Sequence, residues 1–258
     1  MKKVIKVLSI IIISLILIFG CLVGYIIVDS NKQEELLNKE VDKLLSSDYL
    51  NDDINTNVVT SGEYAVIEKI IKKYIKDFSD TYKEFYQVID EFNFEDMFTA
   101  DNFANDGPDF VNSKGKLSNL KTTLTDCLDK MTEMSSEKYI MNLIKDKDID
   151  NYYIDLYKDY MFGNTVNSFD DYMKEDIELI NNFNKDVNQF FDDCYSLYDF
   201  MSINRSTWQV EGEIVYFSTD SLVNQYNDIL NKIIEDSNKL ATYEEDENNT
   251  GVYEPGSV

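Results

Sequence analysis

The sequence predicts a mainly α-helical protein: an N-terminal transmembrane helix, then an extracytoplasmic, elongated helical bundle with one short β-hairpin. Three observations predict this class. Residues 7–28 form an unbroken run of apolar and small residues. From about residue 31 to residue 241, apolar residues recur at steps of three and four, which is the period of an amphipathic helix. Residues 207–217 depart from that period, and the β-branched and aromatic residues around Glu211 and Gly212 indicate a hairpin.

The apolar run 7–28 is long enough to cross a membrane. Its 22 residues extend about 33 Å as a helix, against a bilayer core of about 30 Å. Two alternatives stay open: cleavage after Ser30 would make the run a secretory signal, and acylation of Cys21, whose preceding letters IFG resemble a lipobox, would make a lipoprotein. A signal needs only about 7 to 15 apolar residues, and the chain stays apolar after Cys21. We therefore predict an uncleaved anchor.

Charge predicts the orientation of the anchor. Lys2, Lys3 and Lys6 precede the apolar run, and no acidic residue occurs before Asp29. The positive-inside rule then predicts a cytoplasmic stub at residues 1–6 and a single-pass protein of the plasma membrane whose C-terminal domain is extracellular. The exported part keeps 21 of the 24 basic residues against 49 acidic ones, a net charge of −28. Such a negative field excludes nucleic acid and disfavours anionic lipid as partners.

The exported part divides into three segments by composition. Residues 29–61 are charged and then rich in asparagine, which predicts a stalk followed by a linker. Residues 62–241 carry the helical periodicity and are predicted to form one helical bundle domain, whose core the 15 Phe and 18 Tyr would fill. Residues 242–258 have too little apolar surface to order themselves, which predicts a disordered acidic tail.

The first bundle helix is predicted to begin with a capping box at Thr60 and Glu63 and to run to about Thr99, a length typical of coiled-coil packing. Two glycines and a proline then break the pattern at 107–116. Further helices are predicted at 117–134, near 136–146, at 150–162, from about 168 to 201, and from about 218 onward.

Three alternating aspartates are the candidate metal ligands. Asp146, Asp148 and Asp150 occupy the first, third and fifth positions of a calcium-loop pattern. The sixth position holds Asn151 instead of glycine, and the twelfth holds Tyr157 where a bidentate glutamate is required. We therefore expect a solvated acidic loop and no metal ion.

Cys127 and Cys194 fall on apolar helical stripes. Two interpretations stay open for them. An oxidising exterior would permit a disulfide between the two residues, whereas their positions are equally typical of small buried thiols. We expect buried thiols.

Composition excludes most catalytic chemistry. The chain has no histidine, which rules out Ser/His/Asp and Cys/His arrangements and histidine-ligated metals. Its nine glycines never form GxGxxG or GxxxxGK, so no nucleotide cofactor is expected. A pair of carboxylates acting on a glycan stays open, and Trp208 is the one weak indication of a sugar platform, although we expect it to close the end of the bundle.

These constraints favour a non-catalytic interaction or structural protein of a bacterial cell envelope, with a protein partner. The abundance of Asn, Lys and Ile indicates the AT-rich codons of a low-GC bacterium. Asp170, Asp192 and Asp193 are expected to contact a basic partner. The alternatives are an extracytoplasmic module that holds a small ligand between facing helices and, third, a carboxylate-based glycan hydrolase.

The first prediction tests the anchor. If residues 7–28 stay attached and span the bilayer, the protein should remain in the membrane fraction after alkaline carbonate extraction, because extraction removes proteins that are held only at the surface. An intact mass that begins at Asn31, or one that carries acyl chains on Cys21, would contradict the anchor.

Overall fold

The computed structural model describes residues 32–163 and 174–243. Across these residues the protein is mainly helical with one two-stranded antiparallel hairpin, which confirms the coarse fold class. The predicted anchor, the helix start near residue 168 and the tail beyond Tyr243 lie outside the described residues. Within the part described, no helix combines the length and the apolar character needed to cross a membrane.

The described residues form nine helices and two strands. The helices are α1 (Lys32–Leu45), α2 (Glu63–Asp90), α3 (Phe94–Met97), α4 (Ala100–Asp106), α5 (Val111–Met134), α6 (Glu137–Ile144), α7 (Asn151–Phe162), α8 (Lys174–Ile203) and α9 (Asp220–Thr242), and the strands are β1 (Trp208–Glu211) and β2 (Ile214–Phe217). In the hairpin, Trp208 pairs with Phe217 and Glu211 pairs with Ile214. Gly212 supplies the left-handed backbone, φ +61°, that the turn requires.

The described chain folds as two compact units. The groove unit comprises residues 32–85, 127–163 and 174–180, and the hairpin unit comprises residues 86–126 and 181–243. Helices α2, α5 and α8 each contribute residues to both units. Each unit is assembled from segments that are distant in sequence. The helical periodicity, which is read along the chain, therefore predicts a single bundle domain.

The segment predicted as stalk and linker, 29–61, has its described part inside the groove unit. Leu37 of α1 is fully buried, and Val41 and Leu44 are almost so. The hydroxyl of Tyr49 donates a hydrogen bond to the carbonyl oxygen of Leu44 at 2.9 Å. The thin apolar stripe of this charged helix is therefore packed against the unit instead of standing apart from it.

A buried ammonium group joins α1, α2 and the extended segment before α2. Lys72 of α2 is only 1% exposed. Its Nζ lies 2.6 Å from Glu68 Oε1 and 2.7 Å from Glu40 Oε2, and it donates to the carbonyl oxygen of Asn57 at 2.5 Å. These three partners belong to three different segments, so one side chain fixes all of them.

Glu68 extends this buried cluster along the chain. It accepts hydrogen bonds from the backbone N–H groups of Val59 and Thr60 at 3.0 and 2.8 Å, and from the Thr60 hydroxyl at 2.7 Å. Although burial acts to raise it, the pKa of Glu68 is held below its usual value by Lys72 and by these donors. The Thr60 hydroxyl therefore donates to Glu68, and the predicted capping box of Thr60 with Glu63 is wrong.

Two helix boundaries differ from the expectation because short polar side chains cap helices locally. Helix α2 ends at Asp90 instead of near Thr99, since the side chain of Asn93 accepts from the N–H of Glu95 and begins α3. The break that follows α4 is also shorter than predicted: α5 begins at Val111, where the Asp106 carboxylate accepts from the N–H groups of Asn112 and Ser113 at 3.2 and 2.7 Å.

Aromatic side chains form the core of the hairpin unit. Tyr198 is fully buried, and its hydroxyl donates to the carbonyl oxygen of Met97 at 2.6 Å. The rings of Phe103 and Phe110 meet edge to face with centroids 5.8 Å apart. Trp208 stacks on Phe110 at 6.3 Å and donates from Nε1 to a backbone carbonyl of α8 at 2.8 Å. The stacked indole thus contributes to the core of this unit.

The second prediction concerns the buried cluster. Lys72→Met removes the ammonium group and leaves Glu68 and Glu40 without their shared cation. Breaking a buried ion pair in this way costs about 3–5 kcal/mol, so we expect the free energy of unfolding to fall by that amount. Urea denaturation followed by circular dichroism at pH 7 measures the change.

Lys76→Met is the matched control. Lys76 lies one turn further along α2 and pairs with Asp80, and both side chains are about half exposed. Because surface pairs contribute little, this variant should unfold almost as the wild type does. Equal destabilisation by the two substitutions would contradict a special role for the buried cluster.

Candidate functional site

The groove unit carries an open groove of about 610 Å³, a volume typical of sites for small ligands. Its lining comes from one face of α2, from the extended segment before α2, and from α6 and the residues just after it. The lining residues are Val58, Ala65, Val66, Lys69, Ile70, Lys73, Tyr74, Asp77, Leu143 and Lys147.

The spacing of residues on α2 separates the floor of the groove from its rim. Ile70 and Tyr74 lie four residues apart and are buried, 8% and 2% exposed, so they form the floor. The hydroxyl of Tyr74 donates to the carbonyl oxygen of Met134 at 3.1 Å. Lys69 and Lys73 are also four residues apart and are exposed, which places two ammonium groups beside an apolar surface.

The buried Lys72 cluster holds one wall of this groove. Val58, which lines the groove and is 39% exposed, stands between Asn57, whose carbonyl oxygen accepts from Lys72, and Val59, whose N–H donates to Glu68. Both neighbours of Val58 are thus tied to α2 through charged side chains. The wall is fixed by the fold and needs no ligand to position it.

The lining of the groove is positively charged although the protein is strongly acidic. Three lysines and one aspartate give the lining a net charge of +2, in a chain whose net charge is −25. Lys73 forms an ion pair with Asp77. Among the residues that the structure describes, neither Lys69 nor Lys147 forms an ion pair. The groove therefore combines aliphatic surface with two ammonium groups that are available to an anion.

A second cluster lies in the hairpin unit, where two carboxyl groups meet. Burial, together with the adjoining carboxyl of Asp193, raises the pKa of Asp236 to about 6. One oxygen of Asp236 is buried and receives no hydrogen bond from any described residue. Asp193 accepts from Gln189 at 3.0 Å. A proton shared between the two carboxyl groups would satisfy the unpartnered oxygen of Asp236.

The hairpin unit also has a polar depression of about 420 Å³. Several of its polar side chains are engaged within the protein. Asn93 caps α3, Glu91 accepts from Gln87 at 2.7 Å, and the amide of Asn102 donates to Met97 O and Ser113 Oγ. These hydrogen bonds leave fewer of its polar groups available to a ligand.

The candidate metal ligands do not converge. Asp146 and Asp148 are exposed, and Asp150 caps α7 by accepting from the N–H of Tyr152 at 2.9 Å. In residues 32–163 and 174–243, no three acidic or cysteine side chains are grouped to hold a metal ion. The sequence pattern is explained here by a helix cap and a solvated turn.

Two of the three acidic residues expected to contact a basic partner, Asp192 and Asp193, have partners inside the chain. Asp192 pairs with Lys121 at 2.7 Å, and Asp193 belongs to the carboxyl pair with Asp236. Asp170 lies outside the described residues. The two that are described therefore already have a partner within the chain.

Cys127 and Cys194 are both buried, and they are not bonded to each other. Burial raises the pKa of the Cys194 thiol far above its ordinary value, which makes its thiolate inaccessible as a nucleophile. Their redox state in the cell stays a prediction.

No protein-family model matches the chain, and no match was found among curated proteins or among solved structures.

The groove residues were missed by the sequence analysis, although one signal was present. Lys69 and Lys73 recur at helical spacing beside Val66 and Ile70 in a chain with twice as many acidic as basic residues. No pattern in the sequence indicated that Lys147 lies near α2.

The third prediction concerns Asp236. Its pKa of about 6 in the folded state lies above its ordinary value of 3.8, so ionisation opposes folding. This cost is absent below about pH 4 and develops as the pH rises through 6. Asp236→Asn cannot ionise, and we expect its melting temperature to exceed that of the wild type at pH 7.5 but not at pH 4.

Thermal unfolding between pH 4 and pH 8 measures this difference. Asp192→Asn is the control, because Asp192 has a lysine partner and its loss should not raise the melting temperature at either pH. A difference between Asp236→Asn and the wild type that does not change with pH would contradict the assignment.

Proposed function

We propose that this protein is a non-catalytic binding protein of a bacterial cell envelope, held in the plasma membrane by residues 7–28 and exposed on the outside. The observation that carries the proposal is the groove on α2, which has an apolar floor, a lysine rim and a wall fixed by buried charges. The length of the apolar run and the lysines before it support the anchored, outward orientation.

The groove favours ligand binding over contact through an acidic surface. Asp192 and Asp193, two of the residues expected to meet a basic partner, are already engaged within the chain. By contrast, Lys69 and Lys147 line the groove without an ion pair to any described residue. The small-ligand module, a runner-up from sequence alone, therefore becomes the preferred form of the binding function.

A hydrolase receives less support. The absence of histidine from the sequence excludes the common nucleophile and base pairs. Asp193 and Asp236 form a carboxyl pair in which the pKa of Asp236 is raised, but neither residue lines the groove or the polar depression. A substrate bound in either place would not meet them.

The fourth prediction tests ligand binding. Ala65 lines the groove, and Ala65→Trp should fill it with an indole ring. The full chain would be purified from native membranes, and small molecules extracted from it would be compared by mass spectrometry. We expect at least one compound to be enriched at least ~10-fold with the wild type relative to Ala65→Trp, because filling the site excludes its occupant.

Ala104→Trp is the control, because Ala104 is an exposed residue of α4 in the hairpin unit. This variant should retain the compound. Val66→Phe fills the same groove and replaces Ala65→Trp if the latter fails to fold, as judged by circular dichroism. Identical extracts from the wild type and a folded groove-filling variant would overturn the proposed function.

A further inference from the structure

The apolar lining of the groove defines the body of the ligand. Val58, Val66, Ile70 and Leu143 contribute aliphatic side chains, and the only acidic lining residue, Asp77, is neutralised by Lys73. An inorganic anion would leave this surface exposed to water. A hydrocarbon body gains about 25 cal/mol for each Å² of apolar surface that it buries.

The rim defines the head group of the ligand. Lys69 and Lys147 come from different segments, are both exposed, and line the same groove. Ammonium groups carry three hydrogen-bond donors and no acceptor, so they favour an anionic head over a hydroxyl or a cation. A neutral hydrocarbon would cover the floor but would leave both lysines without a partner.

The negative charge of the rest of the chain also bears on the choice between an anionic and a cationic ligand. A cation could be attracted to many sites on a chain with 49 acidic residues, whereas an anion is repelled nearly everywhere and meets a positive lining only where lysines cluster. Short-range attraction at the rim therefore has to exceed the long-range repulsion of the whole protein. Because salt screens charges separated by more than about 10 Å at 0.1 M, moderate salt should weaken the repulsion more than the direct contact.

We propose that the groove binds an anionic amphiphile, a single hydrocarbon chain with a carboxylate or phosphate head. The chain lies on the floor beside Ile70 and Leu143, and the head contacts Lys69 and Lys147. This inference rests on the proposed binding function and assigns its ligand class. A free fatty acid and a single-chain phospholipid fragment share this chemistry, and the head group distinguishes them.

The test uses the full chain in phosphatidylcholine nanodiscs and four probes with the same twelve-carbon chain: dodecanoate, dodecyl phosphate, dodecanol and dodecyltrimethylammonium. Binding is measured by equilibrium dialysis, with Ala65→Trp nanodiscs as the background for partition into lipid. We expect saturable binding of at least one anionic probe, and binding of the neutral and cationic probes that is at least ~10-fold weaker. The anion that binds more tightly identifies the head group.

The double variant Lys69→Met/Lys147→Met keeps the apolar stems of both side chains and removes both charges. We expect it to weaken binding of the anion about 5–20-fold, which corresponds to about 1–2 kcal/mol at 1.4 kcal/mol per tenfold change. Lys76→Met, on the same helix but outside the groove, should bind as the wild type does.

The outcomes separate this inference from the function on which it rests. If dodecanol binds as tightly as the anions, or if the double lysine variant is unaffected while Ala65→Trp abolishes binding, the ligand class is wrong and the binding groove stands. If no probe distinguishes the wild type from Ala65→Trp, the ligand class is overturned, and the extracts from native membranes decide the proposed function by themselves.

Discussion

The buried ammonium group of Lys72 is the interaction on which the groove unit depends. Burying a charge is costly unless it is paired and hydrogen-bonded, and here two carboxylates and one backbone carbonyl surround it. Those partners, Glu40, Asn57 and Glu68, come from α1, the extended segment and α2. The buried charge is satisfied only when all three segments are in place. The cost of desolvating Lys72 therefore constrains how these segments are arranged.

That requirement has a consequence for binding. A segment as polar as residues 51–57 would ordinarily be a mobile linker, and a ligand that used it would have to order it first. Here Val58 lies beside residues that α2 already holds, so the wall exists before a ligand arrives. The groove is preorganised, and its apolar contacts can contribute to affinity without offsetting a loop-ordering cost.

Local signals made most of the fold predictable, whereas the site depends on long-range contacts. The hairpin was predicted because its turn glycine and β-branched residues are contiguous in sequence. The end of α2 was not predicted, because the apolar periodicity continues past the point where the cap at Asn93 begins a new helix. Lys72 has the pattern of a solvent-facing residue, and its partners Glu40 and Asn57 lie 32 and 15 residues away. No periodicity indicates such a pairing.

Three buried tyrosines use their hydroxyls at the ends of helices. Tyr49, Tyr74 and Tyr198 donate to carbonyl oxygens at the ends of α1, α5 and α3, respectively, where helices leave carbonyls without an intrahelical partner. Each ring fills the core while its hydroxyl completes a helix terminus. Exchange of tyrosine for phenylalanine, which a sequence comparison would score as conservative, is therefore a loss of helix capping at these three positions.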